Sequence, residues 1–250
     1  MTEETKQETV AFAWCDSGEV DGKFTQGMMD VALKSGVKFE TSIRSQGNQI
    51  GRQRETILKY WYENNISDWL LWIDSDVVIS PETFKLLWDN KDAEKRPILT
   101  GVYFTTDTPE EPLMIPAPTI FKFAEEEGVI GIKRIHPMPV NEMIQVDAAG
   151  MGFVLMHRSV VDKVLEKLPN ATFFTEVGVH KTFMGEDIFF FALISQCEIP
   201  VWCHTGAVVP HMKRFSFDVH YYNAFFGGVQ ETQKKKIITP KDAGKIILPK

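Results

Sequence analysis

The sequence predicts an α/β fold in which a mostly parallel, Rossmann-like central sheet is flanked by helices. Short apolar runs alternate with amphipathic helical stretches along residues 10–103, and this alternation is typical of the strand–helix units that build parallel sheets. A chain of 250 residues that is 44% hydrophobic and 24% charged has the size and composition of one large globular domain. The apolar run 69–73 ends in Asp74-Ser75-Asp76, and ligands of open α/β sheets bind where such strands end.

The elements of the first half are each set by an apolar pattern and a turn signal. The first strand is broken by Asp16-Ser17-Gly18, and the first helix is stopped by Gly36. The second helix carries apolar residues along one face, and the third begins at Ser80-Pro81, a helix-start signal. The predicted strands cover residues 10–15, 37–43, 69–73 and 97–103, and the predicted helices cover 24–33, 49–62 and 81–88.

Residues 104–145 interrupt this pattern. They contain six prolines and short strand-like stretches at 119–123 and 129–135, from which we expect a small antiparallel insertion or lid. The α/β pattern then resumes with strand-like runs at 144–147, 153–156 and 200–203 and with helices at 159–168 and 186–196.

We expect a single domain over residues 9–212, between a flexible N-terminus at 1–8 and a basic, aromatic extension at 213–250. The net charge is −7, yet the segment 213–250 carries eight Lys and Arg against three Asp and Glu. Three cysteines without a CxxC pattern indicate reduced thiols. The sequence shows neither a signal peptide nor a run long enough to span a bilayer, so we expect a cytoplasmic location.

Paired carboxylates follow the apolar strand 69–73. Asp74 and Asp76 are therefore expected at the carboxyl end of a buried strand. Paired charges there are costly unless a cation is present, and carboxylate oxygens hold divalent cations against phosphates. A turn before the helix that begins at Pro81 explains the same residues without a metal.

Two further segments are expected near this pair. Arg54 shares the apolar face of its helix, so its guanidinium needs an anionic partner, and a diphosphate or the two aspartates would serve. A purely structural arginine is the alternative. Gly150 and Gly152 lie between strand-like runs, where glycine either lets a ligand approach the backbone closely or forms a plain turn.

Acidic and imidazole side chains come later in the chain. Glu186 and Asp187 begin an apolar, and therefore buried, helix. The helix dipole favours carboxylates there as caps, and a rigid position also suits a general base or a ligand of an acceptor hydroxyl. His211 is the preferred third metal ligand, with His204 as its nearest rival.

Taken in order, these segments resemble the GT-A class of nucleotide-sugar-dependent glycosyltransferases, particularly the compact phage, viral and bacterial enzymes. The resemblance covers residues 10–211. It is carried by Asp-Ser-Asp after an apolar strand, Ile-x-x-x-Arg on the preceding helix, Ala-Gly-x-Gly-Phe, Gly-Glu-Asp and a late His. It implies a GT-A fold, a UDP- or GDP-sugar donor, a Mn²⁺ or Mg²⁺ cofactor and, for a phage or viral chain, the host cytoplasm.

The resemblance also implies roles at the donor site, residue by residue. Asp76 would bind the metal, Asp74 would contact the metal or the ribose, and His211 would complete the metal site. Asp16 and Ser17 would lie near the base or the ribose of the nucleotide.

Further roles follow for the arginine and for the later acids. Arg54 would help to hold the nucleotide, although Glu55 stands where many relatives have Asn, which weakens this expected contact. Asp187 would deprotonate the acceptor hydroxyl in an inverting reaction, and Glu186 would support the acceptor site.

Other classes share part of the pattern. A haloacid-dehalogenase-type phosphatase also has Asp-x-Asp after an apolar strand, with Asp74 as the nucleophile, but it usually places the motif on its first strand. A non-catalytic module that binds nucleotide sugars is the second alternative. For the transferase, the expected acceptor is a glycan or a lipid. The basic segment 213–250 keeps a further hypothesis open, in which the acceptor is a hydroxymethylated base of phage DNA.

Overall fold

The computed structural model describes residues 7–106, 116–126, 129–179, 182–213 and 219. The chain divides into two units, Met1–Thr105 with Pro116–Lys213, and Thr106–Ile115 with Arg214–Lys250. Of the second unit, only Thr106 and Val219 are described. The expected N-terminal segment and the basic extension therefore fall almost wholly outside the described residues.

The first unit contains a large sheet with helices on both of its faces. The helices are α1 (Gly22–Lys34), α2 (Ile50–Glu63), α3 (Pro81–Trp88), α4 (Ser159–Lys167) and α5 (Glu186–Gln196). The strands of the large sheet are β1 (Val10–Asp16), β2 (Phe39–Gln46), β3 (Trp69–Ile73), β4 (Ile98–Val102), β9 (Met143–Val146), β11 (Phe153–His157) and β14 (Val201–Val208). The remaining strands are β5 (Phe104–Thr106), β6 (Pro116–Pro118), β7 (Ile120–Glu126), β8 (Val129–Arg134), β10 (Ala148–Ala149), β12 (Val177–Val179) and β13 (Thr182–Met184).

The large sheet has the strand order β2-β1-β3-β11-β4-β14-β9. Strand β1 runs parallel to β2 and β3, and β14 runs parallel to β4. Strand β11 lies antiparallel between β3 and β4, and β9 pairs antiparallel with β14. The predicted α/β fold with a mostly parallel sheet is therefore confirmed, with an antiparallel strand at its centre.

The two faces of the sheet build separate apolar cores because side chains alternate along a strand. Ala11 of β1 and Trp72 of β3 belong to the core that α2, α4 and α5 cover. Phe12 and Leu71, their neighbours in sequence, belong to the core that α1 and α3 cover. Strand β14 extends beyond the predicted 200–203, since its alternation of buried and half-buried positions continues to residue 207.

The predicted antiparallel insertion is confirmed in the described part of residues 104–145. Strands β7 and β8 form an antiparallel hairpin, and β10 adds to the other side of β7. Among the described helices, none combines the length and the apolar character needed to cross a bilayer.

Candidate active site

The turn that follows β3 places the two aspartates at the carboxyl end of this strand. The Asp74 N–H donates to the Gly152 carbonyl over 3.2 Å, and the Val77 N–H donates to the Asp74 carbonyl over 2.9 Å. Both aspartates therefore belong to a turn whose backbone is hydrogen-bonded to Gly152, in the glycine segment before β11.

A second segment, residues 209–213, lies against this turn. The Val78 N–H donates to the Pro210 carbonyl over 3.0 Å, and the Met212 N–H donates to the Asp76 carbonyl over 2.7 Å. The Val209 N–H binds the carbonyl of Val102 at the end of β4 over 2.9 Å. Main-chain hydrogen bonds thus place His211 beside the aspartates, although it is far from them in sequence.

Both ring nitrogens of His211 have partners. Nδ1 lies 2.8 Å from the Phe104 carbonyl oxygen, and Nε2 lies 3.0 Å from Asp76 Oδ2. A carbonyl oxygen only accepts, so Nδ1 carries a proton, and Nε2 of the neutral ring would turn a lone pair towards the carboxylate. Burial opposes the charged ring, but the hydrogen bonds to Asp76 and Phe104 outweigh it and raise the pKa of His211. Since this lone pair and the negative carboxylate repel each other, a proton or another cation is needed between Nε2 and the carboxylate.

The Asp76 carboxylate also accepts a hydrogen bond from Lys213, whose Nζ lies 3.0 Å from Oδ2. Burial acts to raise the pKa of Asp76, but the hydrogen bonds from His211 and Lys213 outweigh it and lower this pKa. Asp76 is therefore ionised throughout the physiological range.

The distance between His211 Nε2 and Asp76 Oδ2 is that of a hydrogen bond, and it also equals the spacing of two neighbouring metal ligands. Neighbouring ligands of an octahedral cation, each about 2.1 Å from it, lie about 3.0 Å apart, and His211 Nε2 and Asp76 Oδ2 are separated by 3.0 Å. The carbonyl-bound Nδ1 is also the usual arrangement of a metal-ligating histidine. Among the described residues, however, no three His, Cys, Asp or Glu side chains form a metal-binding group. A cation held here would take its other ligands from substrate phosphates or water, as Mg²⁺ usually does.

Asp74 is engaged by the buried guanidinium of Arg54. Arg54 Nη2 donates to Asp74 Oδ1 over 2.7 Å, and Arg54 Nε donates to Glu186 Oε1 over 3.3 Å. Only 4% of Arg54 is exposed. Asp74, one of the anionic partners expected for this guanidinium, thus contacts it, and Glu186 is a second partner.

Asp187 begins α5 together with Glu186, and its environment differs from that of the other acids. Burial, followed by the charge of Glu186, raises the pKa of Asp187 to about 6. The Ile188 N–H donates to Asp187 Oδ1 over 2.7 Å. A carboxylate with this pKa is largely ionised at neutral pH and can still accept a proton, which suits a general base.

One cavity at the carboxyl ends of β3 and β4 is lined by the two aspartates, His211 and Asp187, whereas Arg54 and Glu186 do not line it. It has a volume of about 330 Å³. A larger opening of about 490 Å³ lies between α2 and residues 172–176, and none of the predicted site residues line it. The smaller cavity is lined by Asp74, Asp76, Tyr103, Thr105, Thr119, Phe121, Ile132, Arg134, Gly150, Asp187, Ile188, His211 and Lys213.

The two glycines before β11 are needed for packing within the protein. A Cβ on Gly152 would lie 2.9 Å from Asp74 Oδ2 and 2.8 Å from Tyr103 Cε1, and one on Gly150 would overlap the Tyr103 phenol. Burial raises the pKa of Tyr103 well above its ordinary value, and its ring meets that of His211 edge-on, with centroids 4.9 Å apart. Tyr103 is thus a lining residue that the sequence reasoning missed, although it ends a predicted strand.

Lys213 and Arg134 were also missed as lining residues. Lys213 follows the predicted histidine by two positions, and Arg134 ends a strand of the insertion. Arg134 Nη1 donates to the Pro118 carbonyl over 2.7 Å, and its guanidinium lies over the Phe121 ring at 4.9 Å. Their positions next to predicted site elements are the only sequence signal that pointed to them.

Other predicted residues lie away from this cavity. The carboxylate of Asp16, at the end of β1, forms two hydrogen bonds of 2.6 and 2.7 Å with Arg44, and Ser17 beside it is exposed. Glu55 accepts hydrogen bonds of 2.9 Å from the Phe173 and Phe174 N–H groups. The expected contacts of Asp16 and Ser17 with a nucleotide stay predictions.

His204, the rival of His211, lies on β14. Its Nδ1 accepts a hydrogen bond from the Gly206 N–H over 3.2 Å. Burial lowers its pKa, and it does not line the cavity that contains the aspartates. The structure therefore places His211, and not His204, beside Asp76.

Comparison with known proteins finds solved structures with a similar fold. No family model matches the sequence, and no curated protein matches it. The A197 protein from STIV is similar in structure, with a TM-score of 0.51 and 18% identity over 82% of this chain and 86% of that one. GalNAc-T7 with UDP, GalNAc and Mn²⁺ gives a TM-score of 0.51 and 10% identity over 96% of this chain and 54% of that one.

A CMP:2-keto-3-deoxy-manno-octonic acid synthetase complexed with CTP gives a lower TM-score of 0.44, with 11% identity over 90% of this chain and 99% of that one. At these identities the likeness concerns the fold alone. The chain has a GT-A-like fold.

Proposed function

We propose that this chain is a metal-dependent glycosyltransferase that moves a sugar from a nucleoside-diphosphate sugar to an acceptor hydroxyl with inversion. The observation that carries the proposal is a single cavity lined both by the Asp76–His211 pair and by Asp187. The fold that the chain shares with GalNAc-T7, which was solved with UDP, GalNAc and Mn²⁺, supports this choice of donor.

The donor end of the site would be formed by Asp76 and His211, which would hold Mn²⁺ or Mg²⁺, with Asp74 contacting the metal or the ribose. When bound, the cation supplies Lewis-acid stabilisation of the negative charge on the departing diphosphate. Lys213 adds a positive charge beside Asp76 and would attract the same diphosphate. Gly150 and Gly152 keep the wall of the cavity open by making room for Tyr103 and Asp74.

The acceptor end would be formed by Asp187, with Glu186 beside it. The acceptor oxygen attacks the anomeric carbon and forms the new C–O bond while the bond from that carbon to the diphosphate oxygen breaks. The hydroxyl proton moves to the Asp187 carboxylate, whose raised pKa of about 6 makes it a better base than an exposed aspartate. Attack opposite the leaving group inverts the configuration of the sugar.

The acceptor proposed first is the hydroxyl group of a glycan or a lipid. A hydroxymethylated DNA base stays a proposal that rests on the basic sequence of residues 213–250. Binding of duplex DNA that weakens steeply with salt would favour the DNA acceptor.

The full-length chain tests the proposal in a screen of UDP- and GDP-sugars with and without Mn²⁺. A donor present at a hundredfold excess over its Kd should raise the Tm by about 5–10 °C in the presence of the metal. The variant Asp76→Asn should lose the Mn²⁺-dependent part of this rise, and Asp187→Asn should keep it but lose transfer. The variant Asp89→Asn, on an exposed helix end, is the matched control.

Two outcomes would contradict the proposal. One is the absence of any Tm shift and any turnover across the whole panel. The other is hydrolysis of phosphomonoesters that depends on Asp74, which would favour the phosphatase alternative.

A further inference from the structure

The guanidinium of Arg54 joins two acids that the proposed reaction uses for different purposes. Asp74 is 20 residues away in sequence and belongs to the donor side, while Glu186 is 132 residues away and stands next to the proposed base. Each acid binds a different nitrogen, since Nη2 contacts Asp74 and Nε contacts Glu186. The two contacts therefore depend on the planar, forked shape of arginine.

Arg54 is too deeply buried to serve as an ordinary substrate ligand. Its side chain is 5% exposed, whereas those of Asp74 and Glu186 are 25% and 13% exposed. The guanidinium carbon also lies 5.9 Å from the centre of the Trp72 ring. Arg54 thus lies behind the acids, and a substrate in the cavity meets Asp74 before it meets the guanidinium.

The helix that carries Arg54 contacts the start of α5 at a second point. Gly51 lies one turn before Arg54, and a Cβ there would lie 3.3 Å from the Cβ of Glu186. A larger residue at this position would push Glu186 away from the guanidinium. The close approach of α2 to α5 and the ion pair therefore fix the same side chain.

A third link runs through the segment before β12. Glu55, next to Arg54 on α2, accepts hydrogen bonds from the Phe173 and Phe174 N–H groups. The Phe174 ring is stacked on that of Phe190 in α5, with centroids 4.9 Å apart and planes 5° from parallel. This link gives a role to Glu55, the residue at which the sequence departs from the pattern of the GT-A class.

We propose that Arg54 is a positioning residue, not a nucleotide ligand. It holds the turn after β3, which carries Asp74, and the Glu186–Asp187 end of α5 in a fixed position relative to each other. The inference rests on the proposed transferase function for its catalytic consequence. The structural part, that Arg54 orders the first turn of α5, stands on the contacts alone.

The variant Arg54→Lys tests this role because a single ammonium group cannot make both contacts at their present positions. We expect kcat to fall by about tenfold or more, while the KM and the Kd of the donor nucleotide with Mn²⁺, which depend on Arg54 only through its contact with Asp74, rise by less than about threefold. The control is Arg52→Lys, an exposed arginine on the same helix, which should leave both parameters unchanged. A tenfold rise of the nucleotide Kd with an unchanged kcat would overturn the proposal.

A double-mutant cycle with Glu186→Gln separates positioning from general destabilisation. If Arg54 acts through Glu186, Arg54→Lys should lower kcat less in the Glu186→Gln background than in the wild-type chain. Equal losses in both backgrounds would show that the two residues act independently and would contradict the proposal.

A measurement without substrate keeps this test apart from that of the proposed function. Amide hydrogen exchange at residues 188–191 should become faster in Arg54→Lys than in Arg52→Lys, with the exchange of α1, which covers the other face of the sheet, as the internal reference. Unchanged exchange there would refute the positioning role even if the transferase activity is found. Faster exchange without any turnover would leave the role in place and refute the proposed function.

Discussion

Replacing Asp187 by asparagine should make the protein more stable and inactive at the same time. The substitution keeps the shape of the side chain and leaves an oxygen to accept the hydrogen bond from the Ile188 N–H. It removes a carboxylate that is buried beside another acid, Glu186, and these two causes raise its pKa from 3.8 to about 6. Stability and activity should therefore change in opposite directions.

The expected gain follows from the shift in pKa. A difference of about two pKa units between the folded and the unfolded chain corresponds to about 3 kcal/mol. Below the unfolded value of 3.8 the carboxyl group of Asp187 is protonated in both states, and its ionisation costs nothing. As the pH rises through about 6, the folded protein must also ionise it, so the full cost is present above about pH 6.

Urea unfolding followed by tryptophan fluorescence measures this difference directly. The free energy of unfolding of Asp187→Asn should exceed that of the wild type by about 3 kcal/mol at pH 7.5 and by only about 0.5 kcal/mol at pH 4, where the unfolded carboxyl group is partly ionised and the folded one is still protonated. The corresponding rise in Tm at pH 7.5 is about 6–12 °C for a chain of this size. In the wild type, the transfer rate should rise with pH through about 6, because the base must be ionised.

The control is Asp89→Asn, since the Asp89 side chain is 55% exposed and lies 3.2 Å from the ammonium group of Lys85. Loss of such a surface pair changes stability by less than about 1 kcal/mol. The reasoning fails if Asp187→Asn is no more stable than the wild type at pH 7.5. It also fails if the gain is the same at pH 4 and pH 7.5, because the gain would then not come from ionisation.

Two further predictions concern the donor side of the cavity. Gly152→Ala should lower the free energy of unfolding by about 1–3 kcal/mol in urea unfolding, because the new methyl group would lie 2.9 Å from a carboxylate oxygen of the turn after β3. Gly22→Ala, where an added Cβ has no neighbour within 4 Å, should be neutral, and an equal loss in both variants would contradict this reasoning. Lys213→Ala should tighten Mn²⁺ binding by about two- to fivefold in calorimetry, because the ammonium group at 3.0 Å competes for Asp76. Lys122→Ala, which breaks an ion pair of similar exposure elsewhere, is its control, and weaker Mn²⁺ binding in Lys213→Ala alone would refute the competition.

The strands and helices were largely predictable because apolar periodicity reports burial, and burial sets these elements. Strand 153–156 was recognised as a continuous apolar run, but its direction was not, since such a run reads the same in a parallel and in an antiparallel strand. Its antiparallel placement between β3 and β4 depends on the course of the preceding insertion. Residues 104–145, which contain that insertion, have little periodicity to read.

The site was predictable where a residue follows a strand or begins a helix. Asp74, Asp76 and Asp187 were located in this way, and the structure brings all three to one cavity. Tyr103 was not, because an aromatic residue at a strand end has the same pattern whether it packs in a core or lines a site. The glycines at 150 and 152 were expected either to let a ligand approach the backbone or to form a plain turn, and in the structure they make room for that tyrosine ring.

The distribution of cations around the carboxylates supports different proposed roles for them. Asp74 is paired with Arg54, and Asp76 with His211 and Lys213. Within the described part of the chain, Asp187 has no ion pair, and its pKa is raised while that of Asp76 is lowered. Acids whose environments move their pKa values apart can take different roles in one reaction. Asp76, whose pKa is lowered and which is ionised at physiological pH, suits a metal ligand, and Asp187, whose pKa is about 6, suits the base.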